Sequence, residues 1–434
     1  MPIKERTNHQ HDGDRDLILY RSMNLPRFHP KPAVTPEETG LPRRLVFDLV
    51  IKQVFLEGAA TFRKLMAETK LDYGVIQAAY RHMQQDQLCD TKGMVGDDVE
   101  FTLTAKGLRR AEEAWRKDPY VGPAPVSLSS YCKAVREQAF RPQVTQESLA
   151  RNLSDLVVTD QMIRDLGAAI MTGGTIFLYG PTGNGKTSIA ERLHRMFQDL
   201  VYIPAAVEVS HQVLTVYDPN VHRPWEQQPA DIDPRWVLCH RPCLITGGEL
   251  QASMLEPRID ELTRMGVAPL QMKANNGILV IDDFGRQQIE PRDLLNRWIV
   301  PLDRRVDYLS MGSAGKFEIP FEVMVVFATN LEPSHLAEEA FLRRIKNKVK
   351  VDTVSPETFA SIWQLECRTR GLEFSPEIAE YAARCCAEKV DGALRACFPR
   401  DLLDIIKGVA AFEQRPVTLS RQEVNHALEL YFLR

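Results

Sequence analysis

A chain of 434 residues is long enough for roughly three domains, and 44% apolar residues are enough to fill their cores. A formal net charge of -4 excludes a protein that coats nucleic acid or a membrane surface through its overall charge, although one basic face can hide in such an average. Eight cysteines without paired spacing, and no apolar run of about 18 residues, predict a reducing, cytoplasmic setting without a membrane span.

Residues 1–40 carry prolines at 2, 26, 30, 32 and 36 among many charges, without periodicity, which is the composition of a disordered tail. From Leu41 the pattern changes. Leu45, Val46, Leu49, Val50 and Val54 recur at helical spacing up to Gly58; a second helix holds Phe62, Leu65 and Met66; a third runs from about Tyr73 to Gln87 with Val75, Ile76, Tyr80 and Met83 inward. Strand-like pieces at Leu88-Cys89 and Glu100 to Thr104 flank a loop, and a helix closes the unit. This order over residues 41–118 resembles a winged helix, with the third helix in the recognition position. Phosphate neutralisation supplies most non-specific DNA affinity, yet residues 41–120 hold 13 Lys and Arg against 12 Asp and Glu. DNA and a protein partner therefore both stay open for this unit. Residues 119–145, with breaks at Pro119 to Pro125 and Arg141-Pro142 around one helix-like stretch, read as a linker with a strut.

The most informative stretch is Thr175 to Thr187. An apolar, strand-like run (Ile176 to Tyr179) breaks at Gly180, and Gly180-Pro181-Thr182-Gly183-Asn184-Gly185-Lys186-Thr187-Ser188 then opens a helix with the G-x-x-x-x-G-K-[ST] spacing. Glycines let backbone N–H groups curl around a phosphate chain, the helix start aims its positive end at it, Lys186 adds a cation and Thr187 a hydroxyl for Mg²⁺. Further on, Ile278 to Ile281 is the continuous apolar run of a buried parallel strand, ending in Asp282 and Asp283, where Asp282 can hold Mg²⁺ through water and Asp283 can orient an attacking water. Val323 to Ala328 repeats the signature and ends in Thr329-Asn330. Arg343 and Arg344 stand at what reads as a helix end, and a guanidinium suits a transition-state clamp.

The segments GPTGNGKT, ILVIDD, FATN, AFLRR and FPRDLL occur in the order and approximate spacing of the AAA+ ATPases, whose Walker A, Walker B, sensor 1, arginine finger and sensor 2 they resemble, over about residues 146 to 434. The resemblance implies an α/β P-loop NTPase core with a parallel sheet (146–352) and a C-terminal helical lid (353–434), behind the small winged-helix-like α+β domain. It implies ATP and Mg²⁺ as cofactors, Lys186 and Thr187 on phosphate and metal, Asn330 as sensor 1, Arg400 as sensor 2, and Arg343 or Arg344 as a finger reaching a neighbouring subunit in a ring or dimer. Asp283 departs from the family, which mostly has Glu there; one methylene less moves the carboxylate back from the water, so slow hydrolysis is expected.

Between these motifs, Val201 to Asn276 holds two β-like runs, a Pro-rich loop, and Gly247-Gly248-Glu249-Leu250 as a helix start, with Tyr217, His222 and Trp225 as candidates to engage a client in a pore. Cys239, His240 and Cys243 lack a second ligand pair and read as core or strand-edge groups rather than a zinc site. Ser355-Pro356-Glu357, Ser375-Pro376-Glu377 and Ser420 with Glu423 mark helix starts in the lid. The reading is an ATP-hydrolysing oligomer that remodels an unidentified protein or nucleic-acid client. The alternatives are a nucleotide-gated DNA-binding switch or loader with slow turnover, and a scaffold.

Overall fold

The computed structural model describes residues 26–311, 315–333, 342–343 and 345–432. One parallel sheet organises them. Its strands lie in the spatial order Cys243–Thr246, Ile278–Ile281, Met324–Thr329, Ile176–Tyr179 and Asn347–Lys350, each parallel to its neighbours. Both faces are covered, which is why the central strands are apolar throughout rather than alternating. Ile278, Val280, Val326, Ala328 and Leu178 enter one core with Leu149, Leu166, Ile170 and Ile189. Their sequence neighbours Leu279, Ile281, Val325, Phe327 and Phe177 enter the other with Phe284, Leu294, Trp298 and Phe321.

The C-terminal lid is four helices, Pro356–Arg370, Pro376–Lys389, Phe398–Phe412 and Arg421–Tyr431. Three start where the sequence marks them: the side chains of Ser355, Ser375 and Ser420 each accept a backbone N–H of the first turn. Phe359, Trp363, Leu402, Leu403 and Ile406 fill their common core.

The N-terminal unit has helices Arg43–Glu57, Phe62–Thr69, Tyr73–Gln85 and Ala105–Lys117 around an antiparallel sheet of Ala59–Thr61, Asp98–Leu103 and Cys89–Val95. The hairpin is longer than the sequence indicated. Strand Cys89–Val95 is exposed everywhere beyond Cys89 and its register shifts between Thr91 and Gly93, so no apolar alternation announces it.

Two stretches differ from the sequence reading in kind. Residues 26–40 of the expected tail are packed: Phe28 packs tilted against Trp236 with ring centroids 5.0 Å apart, and Asp233 N–H donates to the Pro30 carbonyl at 2.9 Å. Residues 119–145 are more than a linker: Val126–Ser127 pairs in parallel with Ala206–Val209, and helix Leu128–Glu137 buries Tyr131, Ala134 and Val135. The strand joins a second five-stranded sheet with Gln212–Thr215, Gly266–Val267 and Arg258–Ile259. One face of that sheet, through Ala206 and Val213, completes the core of the N-terminal unit. The other, through Val207, Val209 and Leu214, packs against helix Leu128–Glu137 and the hairpin Val306–Ser310 with Lys316–Pro320. Sequence patterning within 201–276 cannot reveal this, because its partners come from three distant segments.

Buried guanidinium groups tie these layers. Arg241 reaches both Asp199 oxygens at 2.7 and 2.6 Å and the carbonyls of Gln138 and Asn276 at 2.9 and 2.7 Å. Arg235 pairs with Asp233 and donates to the Thr39 and Pro125 carbonyls at 3.1 Å.

Candidate functional site

The phosphate loop follows strand Ile176–Tyr179 and feeds helix Lys186–Leu193. Its backbone has left-handed conformation at Gly180, Gly183 and Gly185, where glycine is favoured. Gly180 has φ 136° and a Cβ there would lie 2.2 Å from the Val351 carbonyl oxygen; Gly185, the residue before the helix, has φ 84°. Lys186 is 9% exposed and its Nζ donates to the Gly180 and Pro181 carbonyls at 2.9 Å each. Burial lowers the pKa of this ammonium, and the Asp283 and Asp282 carboxylates oppose the shift.

Across the loop, Thr187 Oγ1 lies 2.9 Å from both carboxylate oxygens of Asp282. Asp283 sits in left-handed backbone conformation at φ 47°, and its N–H donates to Asp282 Oδ1 at 3.0 Å. The Gln287 amide holds this turn from behind, donating to the Asp282 and Asp283 carbonyls at 2.9 and 3.2 Å. Strand Met324–Thr329 lies between the two loops, and Asn330 at its end donates to Thr182 Oγ1 at 3.2 Å.

These groups share a cleft of ≈ 510 Å³. Residues 182–189, Asp282, Asp283 and Asn330 form its floor, and the lid supplies Ile362, Leu365, Glu366, Ala396, Cys397 and Arg400. Arg400 is mostly exposed there, with Nε donating to Asp401 Oδ1 at 3.2 Å. An apolar end, built by Leu156, Val157 and Val158 against Ile362 and Leu365, suits the face of a base. The sequence reading missed that end; its only signal is two valines directly before the N-cap Thr159.

Not every candidate joins the cleft. Arg343 is exposed and absent from its lining, and Arg344 lies outside the described residues. Among the suggested pore residues, His222 is 1% exposed, and Tyr217 and Trp225 are partly buried against the core that holds Val207, Val209 and Leu214, so these aromatics pack within residues 201–276 and their neighbours. Gly247-Gly248-Glu249 opens no helix; the Glu249 carboxylate instead accepts from Thr246 Oγ1 and Gly247 N–H at 2.8 and 2.9 Å, and these donors hold its pKa low. Burial pushes the Cys239 and Cys243 thiols up, to about 12 and about 11, and no cluster of metal-ligating groups occurs among the described residues.

A family model described as a domain of unknown function, DUF8689, matches residues 355–430. No curated protein matches the chain. Among solved structures the chain is similar to RuvB of Thermotoga maritima, described as a Holliday junction branch migration motor, with 15% identity over 67% of this chain and 72% of that one and a TM-score of 0.37. It is also similar to NtrX of Brucella abortus, with 14% identity over 73% and 72% of the two chains and a TM-score of 0.40. The parallel sheet, with the phosphate loop and acidic pair at the carboxyl ends of its strands and helices on both sides, has the α/β architecture of a P-loop NTPase core, followed by a C-terminal unit of helices.

Proposed function

We propose that this chain binds and hydrolyses Mg-ATP and uses the cycle to remodel a protein or nucleic-acid client. The observation that carries this is the shared cleft: Lys186, Thr187, Asp282, Asp283, Asn330 and Arg400 come from four stretches of sequence and line one space between core and lid. Loop N–H groups and Lys186 bind the phosphates, Asp283 and Asn330 orient the attacking water, and Arg400 brings lid charge to the terminal phosphate. The oxygen donors of Thr187 and Asp282, already within hydrogen-bond distance of each other, fit Mg²⁺, a hard cation that takes such ligands and keeps several waters. Once bound, that ion neutralises charge on the phosphates.

Completion of the site by Arg343 or Arg344 of a neighbouring subunit, in a ring or dimer, belongs to the same proposal. It is supported by the exposure of Arg343 outside its own cleft. The test is equilibrium binding and turnover of Mg-ATP by wild type and Lys186→Ala, with native mass recorded with and without nucleotide. Full activity in the variant overturns the proposal.

For the N-terminal unit we favour a protein partner over DNA. A helix-turn-helix reads bases with the first residues of its recognition helix. Here the Val34 carbonyl lies against that turn at Gly74, where a Cβ would lie 2.3 Å from it. The hairpin tip presents apolar Met94 and Val95, 62% and 55% exposed. Binding of the full chain to duplex DNA that weakens steeply with salt would reverse this preference.

A further inference from the structure

The lid touches the phosphate loop itself. Ala396 N–H donates to Asn184 Oδ1 at 3.1 Å, and Cys397 N–H donates to the Gly183 carbonyl at 2.9 Å. Asn184 Nδ2 donates in turn to the Pro181 carbonyl at 3.3 Å, and the residue is 6% exposed. The approach is close enough that a Cβ on Gly183 would lie 2.7 Å from Cys397 Sγ. The loop motif leaves position 184 open to any residue, so cradling a phosphate does not account for a buried amide there.

Its contacts lead to Arg400. Cys397 is the N-cap of helix Phe398–Phe412, whose start has no side-chain cap of its own. Asn184 therefore holds the residue before the N-cap, and the Gly183 carbonyl holds the N-cap itself, ahead of a helix whose first turn carries the cleft arginine. From the other side, Asp401 accepts from Arg400 Nε at 3.2 Å and from the Tyr431 hydroxyl at 3.0 Å. One tie sets the backbone at the helix start and the other restrains the side chain.

We propose that Asn184 is a positioning residue for Arg400: by fixing the lid helix to the phosphate loop, it gives the site its preference for a triphosphate over a diphosphate. The inference rests on the nucleotide reading of the cleft. Arg400 can discriminate the terminal phosphate only if its helix is held in register with the loop, and among the described residues the Asn184 amide is the one side chain given a hydrogen bond to the backbone of the turn before that helix.

The test is a double-mutant cycle on the full chain, measuring equilibrium affinity for Mg-ADP and for a non-hydrolysable Mg-ATP analogue in wild type, Asn184→Ala, Arg400→Ala and the double variant. The expected result is a ratio of ATP-analogue to ADP affinity that falls roughly tenfold in each single variant and falls no further in the double. Should Asn184→Ala not fold, Asn184→Ser, whose shorter side chain cannot span the same gap, replaces it. Equal loss of both nucleotides in Asn184→Ala, an unchanged preference, or losses that multiply in the double variant would overturn the positioning role while leaving the nucleotide site standing. Failure of the wild type to bind either nucleotide would remove the underlying reading as well.

Discussion

Thr187 Oγ1 lies 2.9 Å from each carboxylate oxygen of Asp282, closing the phosphate loop onto the end of a strand that is not its neighbour in the sheet. Strand Met324–Thr329 separates the two, so the contact bridges across it. Asp282→Asn keeps the size and removes the charge that the proposed Mg²⁺ would require. Turnover should fall by a factor on the order of 10² or more, whereas nucleotide binding in the presence of a chelator should change little. Steady-state rates against magnesium concentration, with binding of labelled nucleotide in chelator, check both halves.

Lys186 is buried with its charge compensated by two carbonyl oxygens rather than by a direct ion pair. Removing such a group gives up two hydrogen bonds and also relieves a desolvation cost, so Lys186→Ala should unfold within about 1 kcal/mol of wild type. Binding of ATP, which needs the cation, should disappear. Denaturant unfolding run beside a nucleotide titration separates the two effects.

Arg343 is exposed outside the cleft, so its contribution would have to come across a subunit contact. Arg343→Ala should lower turnover by about 10³ while leaving ATP affinity nearly intact. Mixing the variant with Lys186→Ala protein should restore part of the rate, since each supplies what the other lacks. No recovery in the mixture would count against a shared site.

His222 is buried, at 1% exposure. Its Nδ1 accepts from the Asp218 N–H at 2.9 Å, which leaves Nε2 to donate to the Lys273 carbonyl at 2.8 Å, and burial lowers its pKa below the usual 6.5. In the window between that lowered value and about 6.5 the unfolded chain binds the proton and the folded one does not, so stability is lost as pH falls through it. Replacing the ring by Gln should flatten this part of the stability profile below about pH 6.5, at the cost of a lower midpoint at neutral pH. Thermal melts of both proteins across that range supply the comparison.

Arg241 ties Asp199, Gln138 and Asn276 together and lies over the rings of Phe140 and Phe197. Arg241→Ala strands the Asp199 carboxylate and two carbonyls and should cost about 3 kcal/mol. Arg241→Lys should recover only part of that, because an ammonium cannot reproduce the forked geometry. Midpoints of denaturant unfolding would rank the three proteins.

What the sequence by itself determined was local: the phosphate loop between a strand and a helix, the acidic pair after Ile281, Asn330 after a second buried strand, and lid helices announced by Ser355, Ser375 and Ser420. These are legible because backbone sterics, capping and apolar periodicity act within a few residues of the chain. Tertiary structure alone decided that Ser127 and Val207 belong to one sheet with Val267, that Phe28 is a core residue, that His222 is interior, and that Asn184 meets the lid at Ala396. Each of those facts depends on a partner tens to hundreds of residues away, and burial or a buried hydrogen bond leaves no mark on the sequence at one end of the contact. The residues that line the cleft were readable because they sit at the ends of regular elements, whereas the second sheet was not, since its edges are completed by segments whose own patterns are too short to show a period.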